Sequence, residues 1–218
     1  MASQIAHIVY AKKYIEAIVN GTLPDGMEDK VPAHFQHDEF FLGCVFPDIR
    51  RIDSSVARRE THMILENLNL DFAYLDSFHA GWKFHLYCDM KREEILGRYN
   101  FYAIERASDF WNNPAKRLED ELIYNEYNNW EKIASYFNDP PVVETGINVS
   151  RETFELWYAI LARYISQKPN SQTISVFLSK QPSVASKAKD IIKVVDKLRQ
   201  NDKVVEILKK VKDEIIGI

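Results

Sequence analysis

His85 and Asp89 lie four residues apart in the stretch Gly81-Trp82-Lys83-Phe84-His85-Leu86-Tyr87-Cys88-Asp89. On a helix that spacing puts an imidazole and a carboxylate on one side, a turn from each other. Together they can hold one divalent cation through a nitrogen and an oxygen donor. The spacing alone is common, and its surroundings are what sharpen it. The neighbours are mostly apolar, and an ionised carboxylate buried among them is costly without a metal ion, an arginine or a protonated histidine. Asp48 poses the same problem after the apolar run Phe40-Phe41-Leu42-Gly43-Cys44-Val45-Phe46-Pro47, and His62 follows Thr61. Asp48, His62, His85 and Asp89 are therefore a candidate four-ligand set. On these residues alone the bland reading stands beside it: Asp48 as a helix N-cap and the histidines as hydrogen-bonded core residues.

The elements that must position these side chains read as helices. Ile5, Ile8, Val9, Ile15, Ile18 and Val19 give residues 4–19 an apolar stripe, with His7 near its start. Pro24-Asp25-Gly26 reads as a turn, and residues 27–38 as polar and irregular. Residues 40–46 read as buried, 50–60 as a charged surface loop or short helix, 61–69 as a helix carrying His62, and 72–89 as a longer one. Further helices are expected over 93–112, 114–137 and 150–167, with a short one over 172–178. Pro114 suits a first helical turn. The stripes Ile191, Val194, Val195, Leu198 and Val204, Ile207, Leu208, Val211, Ile215 make the tail a charged helical pair, with Asn201-Asp202 as the cap between them. Asn138-Asp139-Pro140-Pro141 is the clearest boundary. It separates a metal-binding helical core, residues 1–140, from C-terminal helices, residues 141–218, expected to pack on the same domain.

Composition agrees with an all-α class. The 218 residues hold only seven Gly and eight Pro, few for the tight turns of an all-β protein. A formal net charge of −4 gives no electrostatic reason to expect nucleic acid. Cys44 and Cys88 sit in apolar surroundings and read as buried free thiols. There is no signal-peptide pattern and no apolar run near the ~20 residues that span a bilayer. The expectation is a cytoplasmic protein.

Phe41-Leu42-Gly43-x-x-x-Pro47-Asp48-Ile49, then Thr61-His62, then Gly81-x-x-x-His85-Leu86-x-x-Asp89 resembles the zinc-dependent phospholipase C family, whose all-helical fold is shared with P1-type nucleases. The spacings from His7 to Asp48 and from Asp48 to His62 are similar to those between the corresponding ligands of the bacterial enzymes. The resemblance covers roughly residues 4–90. It implies a multi-helix bundle of that type, with one zinc ion on Asp48, His62, His85 and Asp89. His7 would serve a neighbouring ion bridged by Asp89. The implied activity is phosphoester hydrolysis, in which metal-activated water attacks phosphorus and Asp48 orients or deprotonates it. Two departures limit the site. Secreted members bind an ion through an N-terminal Trp, where this chain has Met1-Ala2. They also carry a later His and His-x-x-x-Glu group, whereas no histidine follows His85. One ion, or two at most, can be held by that scheme.

The substrate on this reading is a small phosphoester or a lipid headgroup. A guanidinium among Arg50, Arg51, Arg58 and Arg59 could clamp a phosphate, though a solvated charged face explains them as well. The lysine-rich tail is compatible with contact at an anionic membrane surface, with a homodimer seam, or with plain closure of the core. Trp111, Trp130 and Trp157 read as core residues. His79 could support His85 from one remove, while His34 reads as surface or core. Two other functions fit the same chain. One is a non-catalytic helical protein that binds a structural metal or a partner. The other is an HD-type phosphohydrolase built on His37-Asp38.

Overall fold

The computed structural model describes residues 2–23, 30, 32, 34–63 and 68–216. The Pro24-Asp25-Gly26 turn and part of the expected 61–69 helix lie outside them. Among the described residues the chain is all-helical, with eleven α-helices and no strand. They run α1 (Gln4–Val19), α2 (His37–Val45), α3 (Arg58–Thr61), α4 (Ser77–Arg98), α5 (Asp109–Ile123), α6 (Trp130–Asn138), α7 (Arg151–Ile165), α8 (Ser171–Ser179), α9 (Pro182–Ala185), α10 (Ala188–Arg199) and α11 (Asp202–Glu214). No described helix is long and apolar enough to cross a membrane.

Several boundaries follow local chemistry. Asp76, Ser150, Asn170 and Asn201 each accept a backbone N–H of the helix that follows, which satisfies donors the first turn leaves open. Other boundaries differ from the sequence pattern. Phe46–Arg51 is a 3-10 segment, so Asp48 sits within a tight turn and not at a helix N-cap. His62 does not begin a helix; it is the residue just past α3. The long central helix starts at Ser77, five residues later than its apolar pattern begins, because Asp76 caps it there. It runs on to Arg98, and the expected 93–112 helix is broken after that point. Phe110, Trp111 and Asn112 have φ of 48°, 55° and 63°, a left-handed excursion that Asn112 tolerates and that is unfavourable for Phe110 and Trp111. That excursion turns Trp111 outward to 67% exposure beneath the Lys187 ammonium, whereas Trp130 and Trp157 are in the core as expected.

The core that holds the candidate residues is built from α1, α2, α4 and α5. Its closest contact is α2 on α4, where two glycines let the backbones touch. A Cβ on Gly43 would stand 1.9 Å from the Phe78 carbonyl oxygen, and one on Gly81 would stand 2.1 Å from that of Phe40. Around this contact Phe40, Phe46, Phe78, Trp82 and Phe84 interlock edge to face or tilted. The tail's apolar stripes are buried, with α10 packed on α5 and α8, and α11 on α5 and α4. A methyl group at Gly81 has only rigid backbone to displace. Gly81→Ala should therefore destabilise the protein by at least the ~1–3 kcal/mol of ordinary overpacking, read as a lower urea midpoint, whereas Gly97→Ala, with open space around it, should not.

Candidate metal centre

Five candidate side chains converge from four segments, all buried: His7 on α1, Asp48 in the 3-10 segment, His62 after α3, and His85 and Asp89 on α4. His7 and His85 stack, with ring centroids 3.8 Å apart, and His62 meets His85 edge to face. Three imidazoles point their Nε2 atoms at one carboxylate. His7 Nε2 is 3.4 Å from Asp89 Oδ1, and His62 Nε2 and His85 Nε2 are each 3.7 Å from Oδ2. These gaps are longer than good hydrogen bonds. They suit donors that share an ion, since two bonds of ~2.1 Å at a tetrahedral angle place their donor atoms about 3.4 Å apart.

The far side of two rings is fixed. His85 Nδ1 lies 2.8 Å from the Cys44 carbonyl oxygen, which can only accept, so Nδ1 carries the proton and Nε2 its lone pair. His62 Nδ1 is 2.9 Å from Thr61 Oγ1. Neither Nε2 has a hydrogen-bond partner among the described residues. An anchored Nδ1 with an unengaged Nε2 is how metal-binding histidines are held. His7, His85 and Asp89 are the tightest set: one donor atom from each lies within 4.8 Å of the others, and the group could hold a metal ion.

This set pairs His7 with His85 directly, whereas the expected scheme grouped His85 with Asp48 and His62 and gave His7 to a second ion. Asp48 lies nearby but is already engaged. Its Oδ1 is 2.7 Å from Arg51 Nε, and its Oδ2 accepts from Gln4 Nε2. His37 is exposed and Asp38 pairs with Lys132, so the His37-Asp38 pair lies outside the buried group. His34 is exposed, and His79 stacks on Trp82 and pairs with Asp76. Cys44 and Cys88 are buried and free. Lys83 is tied to the Asp71 carbonyl and to Asn69.

The largest contribution the sequence pattern does not reveal comes from α5. Asn113, Lys116, Arg117 and Asp120 recur at helical spacing, which reads as a solvated stripe, yet all are buried. Glu119, equally buried, accepts from Arg92 Nε of α4 at 2.8 Å through Oε2, which also lies 2.7 Å from Nη2, and accepts from the Tyr10 hydroxyl through Oε1. Asp120 accepts the Ile5 and Ala6 N–H groups and so caps α1 from outside; it also takes the Tyr164 hydroxyl and Arg117. Arg117 reaches Gln4 as well, linking α5 to Asp48 through one amide. The Ala2 N–H donates to Asp89.

The electrostatics favour ligand-ready forms. Burial pushes the His62 imidazole down to about 4, against the opposing pull of Asp48 and Asp89. Burial, reinforced by His7, holds His85 well below its usual range. Burial alone would raise Asp48, but Arg51, then His85 and His62, keep it strongly ionised. Burial would likewise raise Asp89, and the His85 and His7 rings are among the groups that instead hold it low. Lys116 is pushed down to about 7, by burial first and then by Arg51. The centre thus joins the neutral imidazoles of His62 and His85 to ionised carboxylates, the donor set a divalent ion needs.

No family model, no curated protein and no solved structure matches this chain.

The pH dependence of the chelator-treated protein follows from the histidines. His62 binds its proton from 6.5 downwards in the unfolded chain but only near 4 in the folded one. Between those values the unfolded state holds more protons, so stability present above 6.5 is lost as pH falls toward 4. Thermal unfolding midpoints should drop across that window, and His62→Gln should flatten the drop. The depressed carboxylates add a separate loss only below their ordinary values near 3.8.

Proposed function

We propose that this protein is a metal-dependent phosphoester hydrolase, with zinc as the ion and a helical framework of the phospholipase C and P1-nuclease type. One observation carries the reading: three buried imidazoles aim Nε2 at one carboxylate, and two of them have Nδ1 anchored and Nε2 left without a hydrogen bond. The motifs around Gly43, Asp48, His62, Gly81, His85 and Asp89 support the family resemblance. A nitrogen-rich set with carboxylate oxygen suits zinc over magnesium or calcium.

His7, His85 and Asp89 would hold the ion, with His62 facing the same carboxylate. A bound divalent ion supplies a lowered pKa for water and polarises a phosphoryl oxygen. Asp48 is pinned by Arg51 and Gln4 and strongly ionised, so it accepts a hydrogen bond from the attacking water and orients it. His85 keeps its lone pair on Nε2 because the Cys44 carbonyl holds the Nδ1 proton. The substrate is a phosphoester small molecule or headgroup, and the site of action is the cytoplasm.

A second reading rests on the engagement of Asp48 by Arg51 and Gln4: a protein that keeps a structural ion, or none, and does no chemistry. Elemental analysis separates the two. Protein purified without chelator should carry about one zinc per chain, and His85→Ala should lower zinc affinity by at least ~100-fold. The same substitution should abolish hydrolysis of bis(p-nitrophenyl) phosphate. Unchanged zinc content and unchanged hydrolysis in His85→Ala would sink the hydrolase; zinc retained by the native protein with no hydrolysis of mono- or diesters would favour the structural reading.

A further inference from the structure

A cavity of about 330 Å³ lies between α7 and α8. Its lining follows helical spacing on both sides. Ile160, Tyr164 and Gln167 recur a turn apart along α7 and the residues just past it, and Thr173, Phe177 and Lys180 do the same along α8 and its C-cap. None of His7, Asp48, His62, His85 and Asp89 lines it, so it is a place apart from the metal centre.

The aromatic part of the lining is rigid. Tyr164 and Phe177 are buried and stack with ring centroids 4.0 Å apart and planes 12° from parallel. The Tyr164 hydroxyl donates to Asp120, and the Arg117 guanidinium lies 5.1 Å from the Phe177 ring centroid. Rings fixed in this way offer a preformed aromatic surface, which a third ring can join with little ordering cost. Val176, 41% exposed, adds apolar surface that water reaches while the cavity is empty.

The charge of the lining has one sign. Arg163 and Lys180 both line the cavity, and neither side chain has a hydrogen bond or ion pair among the described residues. No Asp or Glu lines it among the described residues, in a chain whose 32 acidic residues outnumber its 28 basic ones. Gln167 and Gln172 add uncharged amide donors. Two cations, amide donors and an aromatic wall, with no carboxylate to oppose them, are the complement of an oxyanion carried on a flat apolar body. The volume is near the lower end of the ~300–1,000 Å³ of ligand cavities, which suits one small molecule and not a length of chain. We propose that the cavity between α7 and α8 binds a small aromatic oxyanion. This site goes beyond the hydrolase reading and does not rest on it.

Calorimetric titration of the full chain at neutral pH with 1-naphthoate, and with 1-naphthylmethanol as the same ring without the charge, tests it. The naphthoate should bind one to one and about tenfold more tightly than the alcohol, the difference expected for one charged hydrogen bond. The double variant Arg163→Gln, Lys180→Gln should remove that preference, whereas Lys189→Gln, at an exposed position outside the lining, should leave it intact. Val176→Asp, which sets a carboxylate in the lining, should weaken naphthoate binding and spare the alcohol. All four positions are exposed, so the variants should fold. Zinc-loaded and chelator-treated protein should bind naphthoate equally; binding lost on chelation would put the naphthoate on the metal and overturn the site. Equal affinity for the two compounds, naphthoate binding unchanged in the double variant, or no binding at millimolar concentration would overturn it as well. The hydrolase reading is untouched by those results, because it is read from zinc content and phosphoester hydrolysis.

Discussion

The structure depends on keeping one carboxylate ionised where water hardly reaches. Asp89 is 8% exposed, in the middle of the longest helix. Burial alone would push it toward its protonated form, which donates and no longer attracts. It stays ionised because positive or polarisable partners are brought to it from every side: the Ala2 N–H, then His7, His62 and His85. They come from the start of the chain, from the segment after α3 and from α4 itself, so the charge is an organising demand on the fold and not a local ornament. The histidines cannot meet that demand as cations, because burial keeps two of them neutral. Three rings facing an anion at 3.4–3.7 Å, two of them kept neutral, leave room, and a reason, for a cation between them.

Meeting that demand requires the segments to approach closely, and the glycine contact of α2 on α4 allows it. Gly43 precedes Cys44, whose carbonyl fixes His85, and Gly81 lies one turn before His85. The two glycines thus set the depth at which α4 rides on α2, and with it the distance from His85 to its anchor. On the opposite side α5 closes the cluster with charge instead of apolar bulk. Its Glu119 and Asp120 are saturated by Arg92, Tyr10, Arg117, Tyr164 and the first N–H groups of α1. Buried ionic groups arranged in this way contribute little net stability over apolar packing, and they specify how α1, α4 and α5 must meet.

Much of this was legible in the sequence, and the limits have physical causes. The first helix over residues 4–19 follows its apolar stripe, and the Ser150 and Asn201 boundaries follow capping chemistry, because these signals are local. His85 and Asp89 were readable because charges among apolar residues contradict burial unless something compensates. The break after Arg98 was not readable. Nothing in Phe110-Trp111-Asn112 asks for left-handed backbone, and Trp111 looked like core until that backbone turned it outward. The role of α5 was hidden for a different reason. A polar stripe at helical spacing is the pattern of a solvent-facing surface, and only the arrival of α1 and α4 on that face turns it inward.

The same logic separates what the core needs for folding from what it holds in reserve. A pair such as Arg92 with Glu119 answers its own burial cost, and nothing more is required of it. Lys116 answers none of its cost, and a methionine there would fold more cheaply. Folding alone therefore gives no account of why an ammonium stands at that position. The left-handed turn inside the first residues of α5 matters as well, since the regular helix begins only after Asn112, and this start sets which residues of α5 face inward.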